Sequence, residues 1–237
     1  MICYSGSKRR IIRDILPILL TDREEGQWYV EPFAGGCNAI EHVPGPRIAN
    51  DSNQYVMAMF QRVRDGWIPP SDVTEELYNE VRLNPAAYDP ALVGFLGTGC
   101  SYGGKWFGGY ARSTGKHGER RNNAAEAQRN ILKQITRLSD VVFVSYDYRL
   151  LPVPESSILY CDPPYQATVG YKDTFDHEVF WEWVREQSLH HRVYVSEYTA
   201  PEDFTCVWEK ERSSTMRQQQ GTIHTERLFV YTNTEKK

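Results

Sequence analysis

The chain has 237 residues, a length that suits one α/β domain carrying an insertion. Its 41% hydrophobic and 24% charged residues are typical of a globular protein with a full core, and no window approaches the ~18 apolar residues of a membrane span. The net charge of −4 argues mildly against a nucleic-acid partner, but residues 105–137 carry eight basic and two acidic side chains. A local basic patch on an acidic body can still bind phosphates.

The predicted helices and strands alternate along the chain. In order, they are a helix over 8–20, strands over 28–31 and 47–50, helices over 54–64, 72–83, 90–100 and 124–138, strands over 141–144 and 157–161, a helix over 176–189 with Asp176 as its N-cap, and strands over 192–196, 204–209 and 227–232. This alternation predicts a doubly wound α/β sheet that binds ligands at the carboxyl ends of its strands. The last two strands predict an antiparallel hairpin at one sheet edge.

Residues 65–123 interrupt the alternation of strands and helices. Two helical patterns there lead into a segment, residues 101–115, that is rich in glycine, aromatic and basic residues and lacks a core-forming period. Long irregular segments inside a compact domain usually serve a function. We therefore expect a catalytic domain from 1–64 and 138–237, with a target-recognition insertion over 65–137.

The N-terminal residues and the spacing of the cysteines and histidines argue against a secreted, disulfide-bonded or metal-binding protein. The chain reaches Arg9 and Arg10 without a signal-peptide pattern, which predicts a cytoplasmic protein. The five cysteines are scattered and include no C-x-x-C pair, so reduced thiols are expected rather than disulfides or zinc. The six histidines form no ligand spacing with Cys, Asp or Glu, and no metal is expected. Nothing indicates a membrane or an obligate protein partner.

The tetrapeptide Asp162-Pro163-Pro164-Tyr165 follows the predicted strand over 157–161 directly. Each proline fixes φ and removes a donor, so the turn is rigid and its carbonyls are exposed at the edge of the sheet. An exocyclic amine needs two acceptors, which the Asp162 carboxylate and the Pro163 carbonyl can supply, while Tyr165 can stack on a base. The alternative is a stiff strand-to-helix turn with a packing tyrosine.

This tetrapeptide and the order of motifs resemble the Dam-type DNA adenine methyltransferases, which form the D12 class, alpha group, of bacteria and their phages. The resemblance runs over nearly the whole chain. It implies a mostly parallel, seven-stranded, Rossmann-like methyltransferase sheet with an antiparallel C-terminal hairpin. It also implies S-adenosyl-L-methionine as cofactor, S-adenosyl-L-homocysteine as product and double-stranded DNA as partner. Asp162, Pro163, Pro164 and Tyr165 would be catalytic, with adenine flipped out of the duplex.

The resemblance also assigns cofactor-binding residues. The loop after the first strand is similar to the family's methionine-binding loop, although Cys37 stands where the family usually has glycine. Asp51 takes the position of a ribose-binding carboxylate, with a helix N-cap as the alternative. Asp147 and Tyr148 take the position of adenine-ring contacts, with a surface turn as the alternative. The residues assigned to the cofactor are Tyr4, Gly6, Lys8, Glu31, Phe33, Gly35, Gly36, Asp51, Asp147, Tyr148 and Asp162.

The N-terminal residues resemble a third family motif, Trp-x-Gly-Gly-Lys. The aromatic residue Tyr4, Gly6 and Lys8 remain, while Ser7 replaces the second glycine. Without the resemblance, these residues would be interpreted as the N-cap of the following helix.

Residues 102–115 take the place of the target-recognition region. Trp106, Phe107 or Tyr110 can wedge between bases or stack on them, and Arg112 is the best candidate for reading a base edge. A solvated helix face is the alternative for such a charged stretch. The predicted DNA-binding residues are Lys105, Arg112, Lys116, Arg120 and Arg121.

The function expected from these residues is direct in-line transfer of a methyl group from S-adenosylmethionine to the N6 amino group of adenine in DNA. The sequence leaves two alternatives open. One is a methyltransferase acting on another planar amine, such as cytosine N4, an RNA adenine or a protein glutamine. The other is a non-catalytic DNA-binding protein that retains the fold.

Overall fold

The computed structural model describes residues 1–114, 121–165, 175–213 and 223–232. Seven strands form one sheet in the order β3-β2-β1-β4-β5-β7-β6. Strands β1 to β5 are parallel, whereas β7 runs antiparallel to both β5 and β6. Their bounds are β1 Tyr29–Glu31, β2 Arg47–Asn50, β3 Val141–Val144, β4 Ile158–Cys161, β5 Arg192–Glu197, β6 Phe204–Ser213 and β7 Ile223–Tyr231. The predicted doubly wound sheet with its C-terminal hairpin is confirmed.

Six α-helices surround this sheet within the described part of the chain. They are α1 Ile12–Leu19, α2 Gln54–Arg64, α3 Glu75–Leu83, α4 Pro90–Gly99, α5 Asn123–Ile135 and α6 His177–Gln187. The predicted cap of α6 is confirmed, because the Asp176 carboxylate accepts from the backbone N–H groups of Glu178 and Val179. The first predicted helix is shorter than expected, since Lys8–Arg10 forms a separate 3₁₀ turn capped by Ser7. No described helix is long and apolar enough to cross a membrane.

Both faces of the central strands are buried, which explains their continuous apolar runs. In β4, Ile158 and Tyr160 join one hydrophobic cluster, whereas Leu159 and Cys161 join the cluster on the opposite face. The first cluster also contains side chains from α3, α4 and α5, so the helices of the predicted insertion share the core of the sheet. The division into two domains stays a prediction.

The two hairpin strands extend beyond their predicted bounds. Strand β6 continues to Ser213 and β7 begins at Ile223, with Glu211 paired to Thr225 in the extended part. Strand β6 lies at the edge of the sheet, and an edge strand tolerates a run of polar residues. The apolar pattern therefore underestimates the length of this hairpin.

The order of the strands reverses between β1 and β4, because the chain runs outward through β2 and β3 and then returns to the other side of β1. Ligands of doubly wound sheets bind at such a switch point, beyond the carboxyl ends of the strands. Here that region lies beyond Glu31 of β1 and Cys161 of β4.

Candidate active site

Asp162 immediately follows β4 at the switch point, and its side chain is about one-fifth exposed (20%). The Lys8 ammonium lies 2.8 Å from the Asp162 Oδ1 atom. Burial raises the pKa of Asp162, and the positive charge of Lys8 opposes that rise. The structure thus places a mostly buried, cation-paired acceptor at the strand end where the sequence predicts the target amine.

Tyr165 is almost completely buried, with a relative exposure of 8%. Its hydroxyl donates to the Glu226 Oε2 atom over 2.9 Å, and its ring lies perpendicular to that of Tyr198 with centroids 4.6 Å apart. The Lys8 Nζ atom lies 4.2 Å from the centre of the Tyr165 ring. A base that stacks on this face of the ring must therefore displace the ammonium.

Lys8 is held in this position by the N-terminal segment. Its ammonium also lies 3.4 Å from the carbonyl of Gly6, and its side chain is buried. The hydroxyl of Ser7 accepts from the Asn38 side-chain amide over 2.8 Å and from the Arg9 N–H, so this segment is tied to the residue that follows the glycine-containing loop after β1. Lys8, which the resemblance assigns to the cofactor, lies against the Asp-Pro-Pro-Tyr turn.

The glycine loop, residues 32–37, packs tightly beneath Tyr4. A Cβ atom at Gly35 would lie 2.5 Å from the Tyr4 ring, and one at Gly36 would lie 2.6 Å from the Tyr4 Cβ atom. Cys37 occupies the position where the family has glycine, yet it adopts the left-handed backbone conformation with φ +54°. The loop therefore keeps a glycine-like backbone at this departure from the family pattern.

Gln134 of α5 connects the glycine loop to the N-terminus, and it is fully buried. Its amide oxygen accepts from the backbone N–H of Ile2 over 2.8 Å, and its amide nitrogen donates to the carbonyl of Gly36 over 2.9 Å. Sequence reasoning missed this residue, because a glutamine on an amphipathic helix carries no local sign of its distant partners.

Asp51 follows β2 and binds two backbone N–H groups. Its Oδ2 accepts from Gly35 and its Oδ1 from Asn53, each over 2.9 Å. The N-cap of α2 is Asn53, whose side chain accepts from the N–H groups of Tyr55 and Val56. The alternative interpretation of Asp51 as the helix cap is therefore wrong, and the side chain instead holds the glycine loop to the end of β2.

The remaining cofactor candidates differ in their surroundings. Glu31 is buried, accepts from the Tyr29 hydroxyl over 3.1 Å, and has a pKa raised well above its usual range by burial. Phe33 packs against Tyr148 with ring centroids 5.2 Å apart. Asp147 caps the turn at Tyr148–Leu150 and pairs with Arg149, as the surface-turn alternative requires.

These residues fit S-adenosylmethionine in the chemistry that they offer. The carboxyl ends of β1, β2 and β3 bring together a glycine loop, the Asp51 carboxylate and the Phe33–Tyr148 ring pair. Each carboxylate oxygen has more than one acceptor direction, so Asp51 can bind a hydroxyl while it holds the backbone. Within the described ranges, no group of three or more His, Cys, Asp or Glu side chains is arranged to bind a metal.

Two of the predicted DNA-binding arginines form ion pairs. Arg112 is bonded to Glu75 of α3 and Arg121 to Glu126 of α5, and all four side chains are at least one-third exposed. Lys105 is exposed beside Gly108. Lys116 and Arg120 lie outside the described residues.

The aromatic residues predicted to wedge or stack are packed against the protein. Trp106 stacks on Tyr55 with centroids 6.0 Å apart, and Tyr110 donates its hydroxyl to the carbonyl of Val73 over 2.7 Å. Phe107 contacts the buried Tyr78. These rings anchor the segment although it has no periodic pattern, because they pack on one another and on Tyr55 and Tyr78.

The strand order, the glycine loop and the Asp-Pro-Pro-Tyr turn are those that the sequence resemblance predicts for a doubly wound methyltransferase. Residues 4–90 match the family of D12 class N6 adenine-specific DNA methyltransferases, which confirms the resemblance seen in the sequence. The matched residues cover less than half of the chain, and they indicate an S-adenosylmethionine-dependent, adenine-specific DNA methyltransferase. The matched residues contain the N-terminal motif, the glycine loop and Asp51, whereas the turn at Asp162 lies beyond them.

Solved structures with similar folds include several methyltransferases. The rRNA methyltransferase aviRa from Streptomyces viridochromogenes is 10% identical, with 97% of this chain and 86% of that chain covered and a TM-score of 0.44. Precorrin-6y C5,15-methyltransferase from Geobacter metallireducens is 8% identical, with 98% of this chain and 93% of that chain covered and a TM-score of 0.42. The putative methyltransferase yhhF from Escherichia coli is 10% identical, with 93% and 84% covered and a TM-score of 0.35.

Proposed function

We propose that this enzyme methylates an adenine that has been flipped out of double-stranded DNA, with the Asp162–Tyr165 turn as the catalytic element. The observation that carries this assignment is the mostly buried Asp162 carboxylate at the end of β4, 2.8 Å from the Lys8 ammonium. A base inside a duplex cannot reach such a recessed carboxylate, so it must leave the stack.

The catalytic roles follow from the chemistry of an exocyclic amine. The Asp162 carboxylate accepts one N6 hydrogen and the Pro163 carbonyl accepts the other, which raises the electron density on the nitrogen. Tyr165 orients the base by stacking, and Pro164 keeps the turn rigid. When bound, S-adenosylmethionine supplies a methyl group that its positive sulfur already activates. Asp162 therefore acts as a hydrogen-bond acceptor rather than a strong base before transfer. It takes the surplus N6 proton only after the methyl group has moved and the methylated nitrogen has become acidic, and no covalent intermediate with this chain is required.

The cofactor is proposed to bind across the carboxyl ends of β1, β2 and β3. Asp51 would accept from its ribose hydroxyls, and the Phe33–Tyr148 pair would contact its adenine ring. The glycine loop beneath Tyr4 offers the backbone groups for the methionine part. The ring packing and the buried ties to Gln134 support this placement, because they hold the loop in one conformation.

We propose that the DNA backbone lies along the basic stretch, with Lys105, Lys116, Arg120 and Arg121 in contact with phosphates and Arg112 at a base edge or a phosphate. The exposed carboxylates that now pair with Arg112 and Arg121 would be exchanged for phosphate oxygens. Such exposed pairs stabilise a protein by only ~0–1 kcal/mol, so the exchange costs little. We place the enzyme in the cytoplasm, where bacterial and phage DNA is found.

The test of the catalytic assignment is Asp162→Ala, with Asp65→Ala as the control because Asp65 is an exposed carboxylate at the end of α2. Methyl transfer to unmethylated genomic DNA should be abolished in the Asp162 variant. Cofactor binding by calorimetry should stay within about tenfold, or ~1.4 kcal/mol, because the side chain faces the target amine. Mass analysis of nucleosides identifies the methylated base. If the variant retains most of its turnover, the assignment is wrong.

A further inference from the structure

Glu226 of β7 lies in the active site although it comes from the antiparallel hairpin, far from the predicted motifs. Its side chain is 12% exposed. Its Oε2 atom accepts the hydroxyl hydrogen of Tyr165 over 2.9 Å and lies 4.0 Å from the Lys8 Nζ atom. A mostly buried carboxylate is thus in contact with the stacking residue and near the cation that pairs with Asp162.

The Lys8 ammonium occupies the position that the target amine must take. It presents N–H donors to Asp162 Oδ1 and it covers the Tyr165 ring, as an incoming adenine would do. When the amine reaches Asp162, the ammonium has to move aside. A buried cation without a carboxylate partner is costly, so it needs another acceptor within reach. Glu226 is that acceptor, since its oxygen is already 4.0 Å away.

We propose that Glu226 is a positioning residue for methyl transfer: it holds Tyr165 through the hydroxyl and receives Lys8 when the target amine binds Asp162. This inference rests on the proposed roles of Asp162 and Tyr165. Lys8 then passes from one carboxylate to the other without leaving the protein interior, and no bond is made or broken in the exchange.

The alternative is a purely structural contact, in which Glu226 only ties the catalytic turn to β7. The two possibilities differ in what a glutamine does at this position. The amide oxygen of Glu226→Gln can still accept the Tyr165 hydroxyl, but the amide has no charge with which to receive Lys8. A structural tie therefore predicts normal activity for this variant, whereas the exchange of Lys8 predicts a loss.

The experiment compares Glu226→Gln with Glu211→Gln on unmethylated genomic DNA, because Glu211 is an exposed carboxylate of the same hairpin. We expect kcat of the Glu226 variant to fall at least fivefold. KM for DNA and cofactor affinity by calorimetry should stay within about twofold. The Glu211 variant should match the wild type in all three. A wild-type kcat for Glu226→Gln overturns the proposal.

The pH profile gives a second readout, which reports the negative charge of Glu226 near Asp162 and not the hydrogen bond that Glu226 accepts from Tyr165. Among the described residues, the titratable groups facing Asp162 include Lys8 before α1, Glu31 of β1, Tyr160 and Cys161 of β4, Tyr165 of the catalytic turn and Glu226 of β7. The negative charge of Glu226 raises the pKa of Asp162, so its removal lowers that pKa. The acid limb of kcat/KM should therefore shift to lower pH in Glu226→Gln. An unmoved limb overturns the proposal.

Two further variants separate this inference from the assignment on which it depends. Glu226→Asp keeps the charge, so it should recover part of the kcat lost in Glu226→Gln and keep the acid limb near that of the wild type. A kcat of Glu226→Asp at or below that of Glu226→Gln overturns the proposal. If Glu226→Gln does not fold, the kcat and the acid limb of Glu226→Asp are compared with those of the wild type instead. If Asp162→Ala remains active, the catalytic assignment itself fails. If Asp162→Ala is inactive while Glu226→Gln is normal, only the role of Glu226 is lost.

Discussion

The buried side chain of Gln134 makes two hydrogen bonds whose contribution to the stability of the candidate cofactor site follows from the structure. Gln134→Ala leaves the N–H of Ile2 and the carbonyl of Gly36 without their partners, and both hydrogen bonds are buried. A buried polar group that loses its partner costs ~1–3 kcal/mol, so the two together predict a loss of ~2–6 kcal/mol in the free energy of unfolding. This is a large part of the ~5–15 kcal/mol that stabilises a typical domain.

The assay is urea denaturation, in which the midpoint should fall while the slope m stays unchanged. Gln134→Met nearly preserves the side-chain volume, so it separates the loss of hydrogen bonds from the effect of a cavity. Lys133→Ala is the control, because Lys133 is exposed on the same helix and should change stability by no more than ~0.5 kcal/mol.

Replacement of Gln134 by alanine or methionine should also weaken cofactor binding. The carbonyl of Gly36 then loses its hydrogen bond, and the glycine loop becomes more mobile. Calorimetric titration of each folded variant with S-adenosylmethionine measures this effect. The free energy of unfolding of Gln134→Met could lie within ~0.5 kcal/mol of the wild-type value while its cofactor affinity is normal. In that case the hydrogen bonds between α5 and the loop contribute nothing to stability or to cofactor binding. The reasoning from buried hydrogen bonds would then be refuted for this site.

Two further predictions concern the cofactor and DNA. Asp51→Ala should weaken cofactor binding by ~1.5–3 kcal/mol through a lost charge-assisted hydrogen bond, and it should also destabilise the fold because Gly35 loses its acceptor. Calorimetric titration with S-adenosylmethionine measures this effect, with Asp65→Ala as the control. An unchanged cofactor affinity would leave Asp51 with a purely structural role. Arg112→Ala and Arg121→Ala should each weaken binding to all DNA sequences and flatten the slope of log K against log salt by ~0.9. A site-specific loss for Arg112 would instead indicate a base contact, and no change for either would place the DNA elsewhere.

Local patterns in the sequence determined most of the fold. The apolar runs of β1 to β5, the periodic helices and the Asp176 cap involve neighbours along the chain, so their residue types alone predicted them. The alternation of strands and helices predicted the doubly wound sheet and placed Asp162 at the carboxyl end of a parallel strand. The Asp162–Tyr165 tetrapeptide and the order of motifs predicted the family, and the match over residues 4–90 confirms that resemblance.

Only the tertiary structure decided which distant side chains share the candidate active site. Lys8, Asp162 and Glu226 come from the N-terminus, the middle and the C-terminal hairpin, and no spacing along the chain relates them. The strand order brings β7 next to β5, while the packing of the N-terminal segment brings Lys8 over the turn. Such contacts depend on the whole fold, because a buried charge takes whichever partner the packing brings within reach. For the same reason, the sequence predicted the motifs of this enzyme but did not show how Lys8 and Glu226 are connected to them.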